Sequence, residues 1–357
     1  MISDELSDHG AIMKIHSSPS THDSSLITRA KPLVAIVGPT AVGKSGIAIL
    51  VAKALGMDVL TADSRQVYRR MDIGTDKPSM EERQGVPHRL IDLVEPDQPF
   101  NTGEFRRQAM AEITRLHREG RVPLLVGGTG LYVRTVLRGL WEGPPADWEF
   151  RRRMERDADV NGADWLYRQL VHVDPGSAGR LHPNDRVKII RALEVHHLLG
   201  RPLSEEHKRH AFAEAPFMPL LIGLTRERSS LYRRVDNRVE LELAKGLVEE
   251  TKRLMDRGYG RHLGSMKGLG YKQMAGYLAG DYDYEEAVRR LKRDTRHFAK
   301  RQMTWFRKEP GIVWLSIEEA ETPAQTADRI TGEVRRFLQA LSGQTGSSAT
   351  RASALAN

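Results

Sequence analysis

The sequence predicts an α/β protein: a parallel sheet flanked by helices, with a mostly helical insertion. Three observations carry this. An apolar run over 33–37 passes through the turn Gly38-Pro39-Thr40-Ala41-Val42-Gly43-Lys44-Ser45 into an amphipathic segment, 46–55. Further short apolar runs at 58–62, 88–94, 122–126 and 220–224 are bounded by turn residues and separated by helical periodicity, the pattern of βαβ units. Between 143 and 219, strand signals give way to charged, helix-forming sequence entered through Pro144-Pro145.

The turn has the spacing G-x-x-x-x-G-K-S of a phosphate-binding P-loop between strand and helix. Gly38 and Gly43 let the backbone fold back with positive φ, so successive N–H groups line an anion nest. The positive end of the following helix adds to it. Lys44 supplies a mobile cation, and the Ser45 hydroxyl is the candidate ligand for a Mg²⁺ bridging phosphate oxygens. The chain therefore binds a di- or triphosphate.

The second strand, 58–62, ends at Asp63-Ser64-Arg65-Gln66. Groups at the carboxyl ends of parallel strands face one crevice, so Asp63 is placed to act as a general base or to hold a metal through water. An N-cap role is the alternative. A turn-rich loop, 71–78, precedes a strand over 88–94. The helix over 102–118 follows from Phe105, Ala109, Ile113 and Leu116 on one face. The strand over 122–126 then ends in Gly127-Gly128-Thr129, where a nucleotide hydrolase usually carries an Asp for its Mg²⁺ shell. This phosphate site is built to bind, and nothing at that strand end marks it for hydrolysis.

Helices are expected near 148–157, 164–171 and 185–199 in the insertion, and over 228–257 after the strand at 220–224. The last is ended by Gly258, Gly260 and Gly264. Lys267-Gly268-Leu269-Gly270-Tyr271-Lys272 sets a glycine turn between two lysines and beside an aromatic ring. Over 285–308, Val288, Leu291, Thr295, Phe298, Trp305 and Phe306 form an apolar stripe, and seven Arg/Lys from Arg289 to Arg301 fill the remaining circumference. Such a face suits a phosphate backbone or is simply solvated.

The 357 residues suffice for a core with an insertion, divided here as 31–142 plus 220–320 and 143–219. A net charge of +8 favours a polyanionic partner. The absence of cysteine excludes disulfides and cysteine zinc sites. No apolar run approaches the roughly 18 residues of a membrane span, so no membrane partner is expected. The polar first 30 residues read as a disordered leader on a cytoplasmic protein, and 342–357 as a second loose tail.

Taken together, the P-loop, Asp63 to Tyr68, 71–78, 127–132, His182-Pro183-Asn184-Asp185 with 191–195, 267–272 and 296–307 resemble the tRNA dimethylallyltransferases (tRNA isopentenyltransferases) of bacterial type, in family order from about residue 31 to 314. The resemblance implies transfer of a dimethylallyl group from dimethylallyl diphosphate to N6 of adenosine-37 in tRNA. The P-loop of such an enzyme holds that diphosphate rather than ATP.

By position, the resemblance implies that Gly38, Pro39, Thr40, Ala41, Val42, Gly43, Lys44 and Ser45 hold the diphosphate, with Arg238 as a second contact. Ser45 touches Mg²⁺, Thr40 bonds the bridging oxygen, and Asp63 takes the proton of the adenine amine. The tRNA anticodon stem-loop is expected on Asp63, Ser64, Arg65, Gln66, Thr129, Arg151, Val187, Lys188, Ile189, Ile190, Arg191, Lys267, Gly268, Leu269, Gly270, Tyr271 and Lys272. The insertion is expected to clasp that stem-loop, with the enzyme a monomer. Eukaryotic relatives carry a zinc finger, whereas this chain without cysteine is expected to bind no zinc. Three alternatives compete: a prenyltransferase acting on free adenine nucleotides, a P-loop small-molecule kinase, and a non-catalytic RNA-binding protein.

Overall fold

A computed structural model describes residues 31–353 apart from 142, 163 and 211–215, with side chains described up to 343. The leader expected over 1–30 and the last four residues of the expected tail lie outside the described residues.

Six parallel strands form one sheet in the order β3-β2-β4-β1-β5-β6. They are β1 (Lys31–Val37), β2 (Val59–Thr61), β3 (His88–Arg89), β4 (Leu124–Gly127), β5 (Phe217–Thr225) and β6 (Ile312–Ser316). Central β1 is apolar without alternation because both its faces are covered. Val34 and Ile36 pack with α1 (Lys44–Leu55) and α13 (Pro323–Ser353), and Leu33, Ala35 and Val37 with α2 (Thr102–Arg118) and α3 (Gly130–Arg138). The four apolar residues that predicted α2 are all buried.

Several expectations change. The strand at 88–94 shortens to two residues, since Leu90 and Asp92 adopt positive φ and turn the chain out of the sheet. Its far end keeps one parallel bridge, Tyr68 to Val94. The helix expected over 228–257 is two, α9 (Arg228–Ala244) and α10 (Leu247–Asp256), broken at Gly246 with φ +96°. The expected loose tail continues α13 to Ser353, a docked helix propagating past its packed half.

The insertion comprises α4 (Trp148–Asn161), α5 (Trp165–Val173), α6 (Pro175–Ala178), α7 (Arg186–Leu199) and α8 (Leu203–His210). It has an apolar core of its own around Phe150, Leu166, Leu170, Ile189 and Leu193. The chain from Lys31 onward nevertheless forms one compact unit. A further core joins α9, α10, α11 (Tyr271–Leu278) and α12 (Tyr284–Phe306) to Val67, Tyr68 and Met71, so the 71–78 loop and the 267–272 turn meet. Among the described residues no helix is long and apolar enough to cross a membrane.

Candidate active site

The P-loop adopts the conformation its glycines require. Gly38 and Gly43 have φ +148° and +109°, and a Cβ on Gly38 would lie 2.6 Å from the Leu224 carbonyl oxygen. Three side chains hold its carbonyls: Lys44 Nζ, from within the loop, donates to Pro39 O at 2.7 Å, Arg234 Nε to Ala41 O at 2.9 Å, and Arg226 Nε to Val42 O at 3.2 Å. With carbonyls turned outward and no side-chain cap on α1, the first-turn amides are left for an anion. One expected amide is committed elsewhere: Thr40 N donates to Gln302 Oε1 at 2.8 Å. Burial pushes the Lys44 ammonium down to about 8, against a smaller upward pull from Asp63. A phosphate beside it restores the charge.

Arg238 reaches this loop from the middle of α9. Its Nη1 donates to Thr40 Oγ1 at 2.8 Å and lies 3.2 Å from Asp76 Oδ2, and its Nε donates to Glu242 Oε1 at 2.7 Å. Thr40 Oγ1 thus accepts from Arg238 and keeps its own proton to donate. Asp76 is delivered by the 71–78 loop, at φ +50°. That loop is fastened by the buried Glu250 carboxylate, which accepts from the amides of Asp72, Ile73 and Gly74 and from Tyr271 Oη at 2.6 Å. Gln66 Nε2 adds bonds to Thr75 O and Asp76 O. Asp76, Glu242, Glu250 and Gln302 were not singled out from sequence; only the i, i+4 spacing of Arg238 and Glu242 could have pointed to one of them.

Asp63 reconciles the two roles weighed for it. Oδ1 accepts from Arg65 N at 2.8 Å as a turn cap, while Oδ2 has no hydrogen-bond partner among the described residues. The neighbouring strand end explains the Gly-Gly-Thr sequence. A Cβ on Gly127 would lie 2.0 Å from Ala62 O, and one on Gly128 2.3 Å from Gln302 Nε2. At Gly127 the Ala62 backbone leaves no room for an aspartate, and at Gly128 one would displace the Gln302 amide. Thr129 Oγ1 instead accepts from Ser64 N at 3.0 Å, tying the ends of β2 and β4 together.

A cavity of about 420 Å³ opens over these groups, lined by Thr40, Lys44, Ser45, Asp63, Ser64, Arg65, Gln66, Thr129 and Arg238 on one side. Lys267, Gly268, Leu269, Tyr271 and Lys272 close it from another. A second cavity of similar volume, with Arg234 and Asn237 in its wall, shares Lys44, Ser45, Asp76 and Arg238 with the first. Those four residues stand where the two spaces meet.

Other expected contacts need correction. Tyr271 is buried, its hydroxyl spent on Glu250 and Gly74 N, with burial pushing its pKa up. It supports the 71–78 loop and has no free ring face to stack on a base. Gly270 is buried at φ +84°, shaping the turn. In the insertion, Ile189 and Ile190 are core residues, because helical periodicity turns part of any five-residue run inward. Val187 and Lys188 are exposed, and Lys188 pairs with Asp185. Arg151 makes a two-point ion pair with buried Glu194, which also takes Arg191 Nη1. None of these insertion residues lines the cavity.

The basic helix α12 divides along its length. Arg289 and Arg290 pair with Glu286, Lys292 with Glu240, Arg293 with Asp294, and Arg296 with Asp236. Lys300 and Arg301 are exposed and, like Lys267 and Lys272 across the cavity, have no ion-pair partner among the described residues. Both ion-paired and unpartnered charge therefore occur on the one helix.

Fold and site define a P-loop protein whose phosphate cradle opens toward a carboxylate and lacks the strand-end aspartate of a nucleotide hydrolase. A family model described as IPP transferase matches residues 66–309, and the chain belongs to that family. It is 47% identical over 307 residues to a tRNA dimethylallyltransferase of Natranaerobius thermophilus, covering 85% of this chain and 92% of the relative. It is 50% identical over 283 residues to one of Geobacter sulfurreducens, covering 79% and 91%. The structure resembles the tRNA isopentenylpyrophosphate transferase of Bacillus halodurans with a TM-score of 0.67, 39% identity, and coverage of 89% and 100%. A eukaryotic dimethylallyltransferase acting on tRNA matches with a TM-score of 0.74 at 28% identity, covering 87% and 80%.

Proposed function

We propose that this chain transfers the dimethylallyl group of dimethylallyl diphosphate to N6 of adenosine-37 in tRNA, releasing diphosphate. The observation that carries the reading is one cavity holding both halves of the chemistry. Lys44, Arg238 and the Thr40 hydroxyl line it on the P-loop, and Asp63, with an uncommitted Oδ2, lines the same cavity from the end of β2.

Leaving-group stabilisation is the larger effect. As the bond between the allylic carbon and the diphosphate oxygen breaks, negative charge grows on the diphosphate, where Lys44, Arg238 and the first-turn amides meet it. The Thr40 hydroxyl donates a hydrogen bond to the bridging oxygen and keeps its proton. The N6 amine attacks the same carbon and, once that bond is advanced, loses its proton to Asp63 Oδ2. The Ser45 hydroxyl and the Asp63 and Asp76 carboxylates line the cavity, a hard oxygen set that fits Mg²⁺ held chiefly by the diphosphate's own oxygens. Mg²⁺ supplies neutralisation of phosphate charge. Among the described residues no cluster of three His, Asp or Glu is placed to hold a metal alone.

The acceptor base leaves the anticodon-loop stack to reach the cavity. The unpaired Lys267, Lys272 and Arg301 suit the RNA backbone at its rim, and Lys300 beside Arg301 extends the exposed charge. On the insertion, exposed Arg152, Arg153 and Arg156 of α4 support a clasp around the stem-loop. The protein works in the cytoplasm as a monomer.

The test is transfer of label from radiolabelled dimethylallyl diphosphate, with Mg²⁺, to an unmodified anticodon stem-loop carrying A36-A37-A38, with AMP and ADP as competing acceptors. Label in the RNA alone is expected. Label in AMP or ADP moves the chain to the free-nucleotide reaction, and no label in either overturns prenyl transfer.

A further inference from the structure

Gln302 lies in the interior of α12, buried, with both ends of its amide in use. Oε1 accepts from Thr40 N at 2.8 Å and Nε2 donates to Gly128 O at 2.9 Å. A desolvated amide has to be satisfied. Here the two groups that satisfy it belong to opposite halves of the site. On the phosphate side, Thr40 is held at two points, its amide by Gln302 and its hydroxyl by Arg238. On the acceptor side, Gly128 precedes Thr129, whose hydroxyl oxygen takes the Ser64 amide next to Asp63. Gly128 also makes the space, since a Cβ there would lie 2.3 Å from Gln302 Nε2.

We infer that Gln302 is a positioning residue that sets the separation between the diphosphate cradle at Thr40 and the proton acceptor at Asp63. The inference rests on the prenyl-transfer reading above. Gln302 borders the cavity but has both ends of its amide engaged by Thr40 and Gly128, so its loss acts on donor and acceptor through those two residues. A displacement of about 1 Å costs on the order of a hundredfold in rate. The effect therefore belongs on kcat, and the affinity for RNA is untouched.

Two variants approach the contact from opposite ends: Gln302→Leu removes both hydrogen bonds, and Gly128→Ala pushes the amide aside. Each is assayed at saturating dimethylallyl diphosphate and stem-loop, with kcat taken per folded molecule and stem-loop affinity measured separately. The expected result is a kcat lowered by roughly 10- to 100-fold in both, with stem-loop affinity within twofold. The double variant is expected to be no slower than the worse single one, as groups acting through one contact are not additive. A purely structural role lowers the melting temperature and leaves kcat per folded molecule within twofold, which overturns the inference. A loss seen only as weaker stem-loop binding also overturns it. The unsubstituted protein separates the two readings: no transfer there sinks the reaction itself, whereas transfer there with unimpaired variants sinks only the role of Gln302.

Discussion

Replacing Arg238 by Met removes the charge at the junction of the two cavities while keeping side-chain length. Of the two cations at the P-loop, Lys44 and Arg238, only Lys44 is left in the variant beside the carboxylates of Asp63, Asp76 and Glu242. A guanidinium about 4 Å from a phosphate charge is worth roughly 4 kcal/mol at an effective dielectric constant near 20. Charge-assisted hydrogen bonds measured by deletion lie at about 1.5–3 kcal/mol. Diphosphate affinity should accordingly fall by about 2–4 kcal/mol, on the order of 30- to 1,000-fold. Calorimetric titration with inorganic diphosphate and Mg²⁺ measures this directly. The loss should also depend on pH. Burial pushes the Glu242 carboxyl up and Arg238 pulls it back, so without Arg238 the carboxyl takes a proton more readily and repels the ligand less. The gap from the unsubstituted protein therefore narrows as pH is lowered. An affinity within threefold at neutral pH refutes placing Arg238 on the diphosphate.

Asp63→Asn keeps the cap oxygen for Arg65 N and removes the proton acceptor, so turnover should drop by roughly 10²- to 10⁴-fold with melting temperature and stem-loop affinity near those of the parent. Unchanged turnover would show that Asp63 is a cap and nothing more. Lys44 is ammonium below about 8 and amine above it, because burial disfavours the cation, whereas the bound phosphate favours it. Diphosphate binding at pH 9 should therefore take up a proton, visible as a binding enthalpy that varies with buffer ionisation heat; no such variation contradicts the assignment. Neutralising Lys267 and Lys272 together should weaken stem-loop binding and flatten its log–log salt slope by about 1.5, at roughly 0.7 per single-strand contact. Identical slopes would remove this turn from the RNA surface.

Much of the site was legible because its chemistry is written locally. The P-loop spacing, the carboxylate after β2 and the missing aspartate after β4 are each read within a few residues, and the structure brings them to one cavity. Arg238 also falls there. The RNA contacts were read less well, for a physical reason. A run such as 187–191 is continuous in sequence, but a helix turns its residues through 100° steps, and Ile189 and Ile190 face the insertion's core. Tyr271 was read as an RNA contact beside a glycine turn, whereas Glu250 on α10 takes its hydroxyl and the side chain is buried. Strand β6 went unread, and Gly246, a lone glycine within a helical pattern, was passed over as the break between α9 and α10.

The sequence by itself determined the phosphate cradle, the α/β class and the family, since glycine conformations, strand periodicity and motif order depend on near neighbours along the chain. Tertiary structure alone decided which further polar side chains support those groups. Gln302 reads as one more polar residue on a basic helix, and only packing of α12 against the sheet carries it 262 residues back to Thr40. Asp76 needs Glu250 and Gln66 to fold its loop toward Arg238. Such contacts are set by where independently folded segments meet, and by the requirement that each buried polar group find a partner there.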